Sequence, residues 1–137
     1  MTKLSPKTAL IVDDDEQIRK LLKFFLMSHF PHLEVEEAGD GLEAENKINH
    51  LKPLLVLLDL RIPGQDGLSL CQKIRQNPDF KGMIILVISG LQDDAVRETL
   101  LFMGANDFIP KPFQTEKFKE KILTHLTSSQ DLFKNAA

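Results

Sequence analysis

The chain has a single cysteine, Cys71, in 137 residues. No internal disulfide can form, and no thiolate metal cluster can be built. Basic residues are not in excess. The net charge is −3, whereas a DNA-binding domain usually shows a basic stripe, so direct nucleic-acid binding is not expected. No apolar run is long enough to span a bilayer. Met1–Lys7 is polar and lacks the apolar centre of a signal peptide, so the expectation is a cytoplasmic protein with no membrane partner. The sequence contains no G-x-x-x-x-G-K and no G-x-G-x-x-G, which removes support for nucleotide or dinucleotide binding. It also has no internal repeats, low-complexity stretches or long linkers. This length then fits one domain with a real core, and 42% apolar and 27% charged residues are ordinary for one.

What is present is a set of apolar runs that each stop at a reactive residue. Thr8–Val12 stops at Asp13-Asp14-Asp15, and Leu54–Leu58 stops at Asp59. Met83–Ile88 stops at Ser89, and Phe108–Pro110 stops at Lys111-Pro112. If these runs are parallel strands of one sheet, their carboxyl ends lie side by side, where open α/β sheets bind ligands.

Helical patterns alternate with the runs. A first strand over Ala9–Asp13 is followed by Ile18, Leu21, Leu22, Phe25 and Leu26, spaced as one helical stripe. Leu33–Ala38 reads as a more exposed strand carrying Glu34, Glu36 and Glu37. Asp40 and Glu43 have the spacing of a capping-box variant opening a helix to Leu51. Leu54–Leu58 is apolar at every position, as in a central strand covered on both faces. Pro63-Gly64 has the residue preference of a type II turn. A helix over Gly67–Gln76 follows, then a strand over Met83–Ile88. Asp93 or Asp94 caps a helix with Val96, Leu100 and Met103 on one face. Gly104 ends that helix in a left-handed conformation. Asn106–Ile109 is a short last strand, and Thr115 caps a final helix carrying Phe118, Ile122 and Leu126. Five strands and five helices in strict alternation predict a doubly wound α/β fold, a five-stranded parallel (βα)5 sheet of the flavodoxin-like kind.

The strand-end set suits a divalent cation plus a phosphoryl group. Mg2+ takes hard oxygen ligands, and Asp13, Asp14 and Asp59 can supply carboxylates. Two like charges ~4 Å apart cost about 4 kcal/mol at an effective dielectric of 20, so a metal or the Lys111 ammonium must offset them. Asp59 is the candidate nucleophile, since a carboxylate can form an aspartyl-phosphate. Lys111 and the Ser89 hydroxyl would hold the transferring oxygens, and Gly90 leaves the backbone uncrowded. Other readings stand beside this one. Asp14 or, more naturally, Asp15 can cap the first helix. Asp59 can be a solvated strand end, and Lys111-Pro112 an ordinary loop. The four strand-end residues together are hard to explain structurally. His29, His32, His50 and His125 lack ligand spacing and read as surface residues. Cys71 reads as core with Leu68 and Ile74, and Lys117, Lys119 and Lys121 as a solvated helix face.

These stretches resemble the receiver (phosphoacceptor) domain of two-component response regulators. The resemblance rests on Leu10–Asp15, on Leu57–Asp59 with Pro63–Gly67, on Val87–Gly90, and on Gly104–Phe113. It covers residues 8–127 and sets 1–7 apart as an N-terminal extension and 128–137 as a frayed tail. It implies that a histidine kinase or phosphotransfer protein phosphorylates Asp59. Asp14 would bind Mg2+ (or Mn2+) directly, and Asp13 largely through water. The backbone carbonyl of Arg61 would be a further metal ligand. Ser89 matches the switch hydroxyl, Lys111 the phosphate-binding lysine in a cis bond to Pro112, and Phe108 the switch aromatic that turns inward on phosphorylation. Arg61, Gly90 and Leu91 flank the phosphate; a screening Arg61 and an apolar Leu91 imply a fairly long-lived phospho-form. The output would be a changed face of fourth helix, fifth strand and fifth helix. That face would be read by a downstream protein or fused output domain, with homodimerisation as one mode. The chain would catalyse only its own phosphorylation and dephosphorylation and would not be a turnover enzyme. A phosphohydrolase would want a second Asp two residues after the nucleophile, where Arg61 stands. The alternative is a degenerate, phosphorylation-independent interaction module, which the intact acidic set, Ser89 and Lys111 argue against.

Overall fold

The structure, a computed structural model, describes residues 7–60, 62, 66–90 and 94–128. Five strands form one sheet: β1 (Lys7–Val12), β2 (Leu33–Ala38), β3 (Leu55–Asp59), β4 (Ile84–Ser89) and β5 (Asp107–Pro110). They alternate with α1 (Glu16–His29), α2 (Gly41–Leu51), α3 (Gly67–Gln76), α4 (Asp94–Phe102) and α5 (Thr115–Ser128). A 3-10 turn over Pro78–Phe80 precedes β4. All neighbouring strands are parallel, in the order β2-β1-β3-β4-β5. The doubly wound (βα)5 expectation therefore holds. The strand order reverses between β1 and β3, which places the binding crevice at their carboxyl ends.

Side-chain alternation splits the core in two. Ala9, Ile11, Leu55, Leu57, Ile84, Leu86, Ile88 and Ile109 face α1 and α5, against Leu22, Phe25, Leu26, Phe118, Ile122 and Leu126. Leu10, Val12, Val56, Leu58, Ile85, Val87 and Phe108 face the other layer, against Ala44, Ile48, Leu70, Cys71, Ile74 and Leu100. With period two and helices on both faces, every position of a central strand must be apolar. Edge strand β2 has Glu34 and Glu36 exposed, a charged rim that discourages pairing with another chain.

Local chemistry sets the helix starts. The Asp15 carboxylate accepts the N–H groups of Gln17 and Ile18, and that of Asp40 accepts Glu43 N–H at 2.7 Å. Glu43 reaches back to Gly39 N–H at 2.7 Å, one residue before the cap, a capping-box variant. Gly104 has φ of 110° and follows α4 as expected. A Cβ there would also lie 2.3 Å from Arg75 Cγ. Cys71 is buried, and burial pushes its thiol up, away from the reactive thiolate.

Several boundaries differ from the sequence reading. β3 takes in Asp59 and β4 takes in Ser89, because the ladders continue through Asp59↔Ile88 and Ser89↔Pro110. β1 begins at Lys7, which pairs with Leu33, so Lys7 belongs to the sheet and not to an extension. β5 starts at Asp107. Leu21 was read into the buried stripe of α1 but is 54% exposed, since Leu22, Phe25 and Leu26 already fill the contact with the sheet. The Pro63-Gly64 turn, Asp93, the Val96 side chain and almost all of the 1–7 and 128–137 termini lie outside the described residues.

Candidate functional site

The site follows from register. Val12 pairs with Leu58, so Asp13 leaves β1 beside Asp59, the last residue of β3. Asp59 pairs with Ile88, one residue short of Ser89. Ser89 pairs with Pro110, one residue short of Lys111, and accepts the Lys111 N–H on its carbonyl at 2.8 Å. The ends form a staircase, and the long Lys111 side chain reaches back down it. Its Nζ donates to Asp13 Oδ2 at 3.1 Å and to Asp59 Oδ2 at 3.3 Å. The Lys111-Pro112 bond is cis, as the resemblance implied.

Asp13, Asp14 and Asp59 each offer an oxygen, all within 4.8 Å of one another. Asp13 and Asp59 are buried, at 2% and 9% exposure, while Asp14 is exposed. Burial works against the Lys111 ammonium, but the hydrogen bond to Asp13 and the charges of Asp59 and Asp13 outweigh it. Lys111 is held above the ordinary lysine value of 10.5. Among the described residues, three carboxylates converge on the Lys111 ammonium. That oxygen-rich donor set fits a hard divalent cation.

The surroundings hold this cluster in place. Gly67 opens α3 against the end of β3, and a Cβ there would lie 2.9 Å from both Asp59 O and Leu60 Cα. Only glycine permits this approach of helix to strand. Ser89 is buried at 1% exposure, and a Cβ at Gly90 would meet nothing within 4 Å. Arg61 and Leu91 lie outside the described residues. Phe108 is 5% exposed and packs in the layer of α2, α3 and α4. A cavity of about 520 Å³ adjoins Lys111, lined also by Ile18, Leu21, Phe25, Pro112, Phe113 and Thr115.

Two networks escaped the sequence reading. Lys121 was read as solvated and His125 as a surface histidine. Instead Lys121 Nζ donates to Asp107 Oδ1 at 3.2 Å and to Phe108 O at 2.7 Å, and His125 Nε2 lies 3.1 Å from Asp107 Oδ2. Four and eighteen residues are helical and tertiary spacings respectively, so only the fold joins the three side chains. On the other face Arg75 donates to Gly104 O, Phe80 O and Asn106 Oδ1, tying α3 to the entry of β5. Lys117 is exposed, as expected. His29 is exposed too, but its ring packs 4.6 Å from that of Phe25.

The architecture defines a doubly wound α/β domain whose switch point can hold a divalent cation. The chain belongs to the response regulator receiver domain family, whose model matches residues 9–123. It is therefore a signalling module of the two-component type. It is 38% identical over 112 residues to the response regulator MprA of a Mycobacterium species (strain KMS), covering 82% of this chain and 47% of that protein. It is 32% identical over 117 residues to the phosphate regulon transcriptional regulatory protein PhoB of Rhizobium meliloti (strain 1021), covering 85% and 50%. Among solved structures, the CheX-CheY-BeF3-Mg+2 complex from Borrelia burgdorferi aligns with a TM-score of 0.78 at 30% identity, covering 87% of this chain and 88% of that one. The chain spans about half the length of the curated relatives it matches. Among the described residues no helix is long and apolar enough to cross a membrane.

Proposed function

We propose that this receiver is active, and that Asp59 accepts a phosphoryl group from a histidine kinase or phosphotransfer protein. The observation that carries the reading is the Lys111 ammonium bridging Asp13 and Asp59 at the strand ends, with Asp14 in reach. An Asp59 carboxylate oxygen attacks phosphorus, the P–N bond to the donor imidazole breaks, and the imidazole leaves. Lys111 turns from its carboxylate partners to the phosphoryl oxygens, whose charge it stabilises in the transition state. The Ser89 hydroxyl donates to the same oxygens. Asp13, Asp14 and Asp59, with the Arg61 carbonyl, would hold Mg2+ or Mn2+, which supplies charge neutralisation for carboxylate and phosphoryl group alike. The related Borrelia protein, solved with BeF3 and Mg2+, supports this assignment.

The apolar cavity beside Lys111 and the exposed Leu21, Phe24 and Met27 on α1 support a protein as the donor, seated next to the accepting carboxylate. On the output side Ser89 and Phe108 act as the switch, and the face of α4, β5 and α5 carries the signal. Leu101 and Phe102 at the end of α4 are exposed, 41% and 89%, available to a downstream protein, a fused output domain or a second copy. The protein works in the cytoplasm, where such donors act. Arg61 and Leu91, two residues past Asp59 and Ser89 respectively in the sequence, would lengthen the phosphoryl lifetime.

Intact mass after incubation with acetyl phosphate, with and without Mg2+, tests the reading. A gain of one phosphoryl group that requires Mg2+ is expected. No gain in a folded protein overturns it and favours a phosphorylation-independent interaction module.

A further inference from the structure

Asp13 is held at every polar atom. Its N–H donates to Ala38 O at 3.1 Å, its Oδ1 accepts Asp15 N–H at 2.9 Å, and its Oδ2 accepts from Lys111. Its backbone carbonyl accepts from Arg19 Nη1 at 2.7 Å. Arg19 stands in the first turn of α1 and is itself anchored. Its Nε donates to Glu37 Oε1 on β2 at 3.1 Å, and its side chain is 18% exposed. Lys23 adds a second cation to the same Glu37, 3.7 Å from Oε2. The guanidinium thus spans from β2 to the loop that leaves β1.

The Asp13 carbonyl and the Asp14 N–H belong to one planar peptide unit. Fixing that carbonyl therefore fixes the direction in which Asp14 leaves the strand. Asp14 needs outside help. Its side chain is exposed, and no hydrogen bond or ion pair holds it among the described residues. Yet its carboxylate must stand within reach of Asp13 and Asp59 for the three to share an ion.

We propose that Arg19 is a positioning residue for the metal site, orienting the Asp13–Asp14 peptide so that three carboxylates converge. This rests on the reading of that cluster as a divalent-cation site. The proposal and a purely electrostatic role predict opposite signs. A guanidinium acting only as a nearby positive charge opposes cation binding, so its removal tightens the ion. A guanidinium that positions Asp14 favours binding, so its removal loosens the ion. Arginine's planar fork can serve the Asp13 carbonyl and Glu37 together, whereas a lysine ammonium is a single point on a flexible stem.

The test is Mn2+ affinity of the full chain without any phosphodonor, read from the free-ion electron paramagnetic resonance signal. Wild type, Arg19→Gln and Arg19→Lys are compared, with far-UV circular dichroism confirming the fold of each. Arg19→Gln is expected to bind about tenfold more weakly, the scale typical of removing a group that orients a metal ligand. Arg19→Lys, which keeps the charge but loses the fork, is also expected to weaken binding, and it carries the test if Arg19→Gln does not fold. Unchanged or tighter Mn2+ binding in the folded variants overturns the proposal, even where their melting temperature falls. If wild type itself binds no Mn2+, the metal reading of the cluster fails first, and the role of Arg19 fails with it.

Discussion

Two clusters on this sheet are both built around aspartate and lysine and end up opposite in character. At the ends of β1, β3 and β5, three carboxylates face one ammonium, Lys111. On the β5–α5 side a single carboxylate, Asp107, is met by Lys121 at 3.2 Å, by His125 at 3.1 Å and by the N–H of Phe108 at 2.8 Å. Burial would raise the Asp107 pKa, but His125, the Phe108 N–H and Lys121 together hold it below its ordinary value of 3.8. The second cluster is satisfied and braces β5 against α5. The first gathers three carboxylates around Lys111, and that concentration of oxygens is what a metal ion and a phosphoryl group would use.

Removing one side-chain partner of the carboxylates in each cluster separates them most sharply. Lys111→Met should slow phosphoryl gain from acetyl phosphate by about 100-fold, the usual effect of removing one transition-state donor. It should at the same time tighten Mn2+ binding, because three carboxylates lose their internal partner. His125→Ala should leave both readouts at the wild-type level; a comparable loss of phosphoryl gain there would erase the distinction.

A smaller effect sharpens how the first cluster is held. Gly67→Ala forces a methyl group against Asp59 O and Leu60 Cα, both backbone atoms that cannot move aside cheaply. Overpacking of this kind costs about 1–3 kcal/mol, measurable as a lower urea midpoint by circular dichroism. An unchanged midpoint would mean the helix start can shift freely relative to β3.

The second cluster should behave as a brace alone. His125→Ala should cost about 1 kcal/mol, the worth of one hydrogen bond, in the same urea assay.

The pH dependence is the subtlest test. The folded pKa of Asp107 is depressed, so its contribution to stability is present above 3.8 and is lost as pH falls through the lower folded value. The stability gap between wild type and Asp107→Asn should therefore close in acid. Lys111 has the reverse sign. Its folded pKa is raised, so its contribution is complete below 10.5 and is lost as pH rises through the folded value. A gap between wild type and Asp107→Asn that widened in acid would contradict the pairing.

The first cluster could be read in the sequence because each member stands where an apolar run stops, and parallel strands bring such ends together. Asp13, Asp59, Ser89 and Lys111 all come to one crevice as that pattern required. The second cluster could not be read. Lys121 looks like one more lysine on a charged helix, and nothing in its neighbours marks the turn of α5 that faces Asp107. Arg19 was hidden for a related reason. Its partner is a backbone carbonyl, which leaves no trace in side-chain patterns, and Glu37 looked like an ordinary charge on an edge strand. Leu21 shows the limit of periodicity: the stripe on α1 is wider in sequence than the strip of sheet it covers.

The most direct test of the account is to locate the phosphoryl group. After treatment with acetyl phosphate and Mg2+, borohydride reduces an aspartyl-phosphate to homoserine, which peptide mass spectrometry can place in the chain. The account predicts homoserine at Asp59, none at Asp13, Asp14 or Asp107, and none anywhere in Asp59→Asn. Homoserine at another carboxylate, or an unaltered Asp59 in protein that has gained a phosphoryl group, would contradict it.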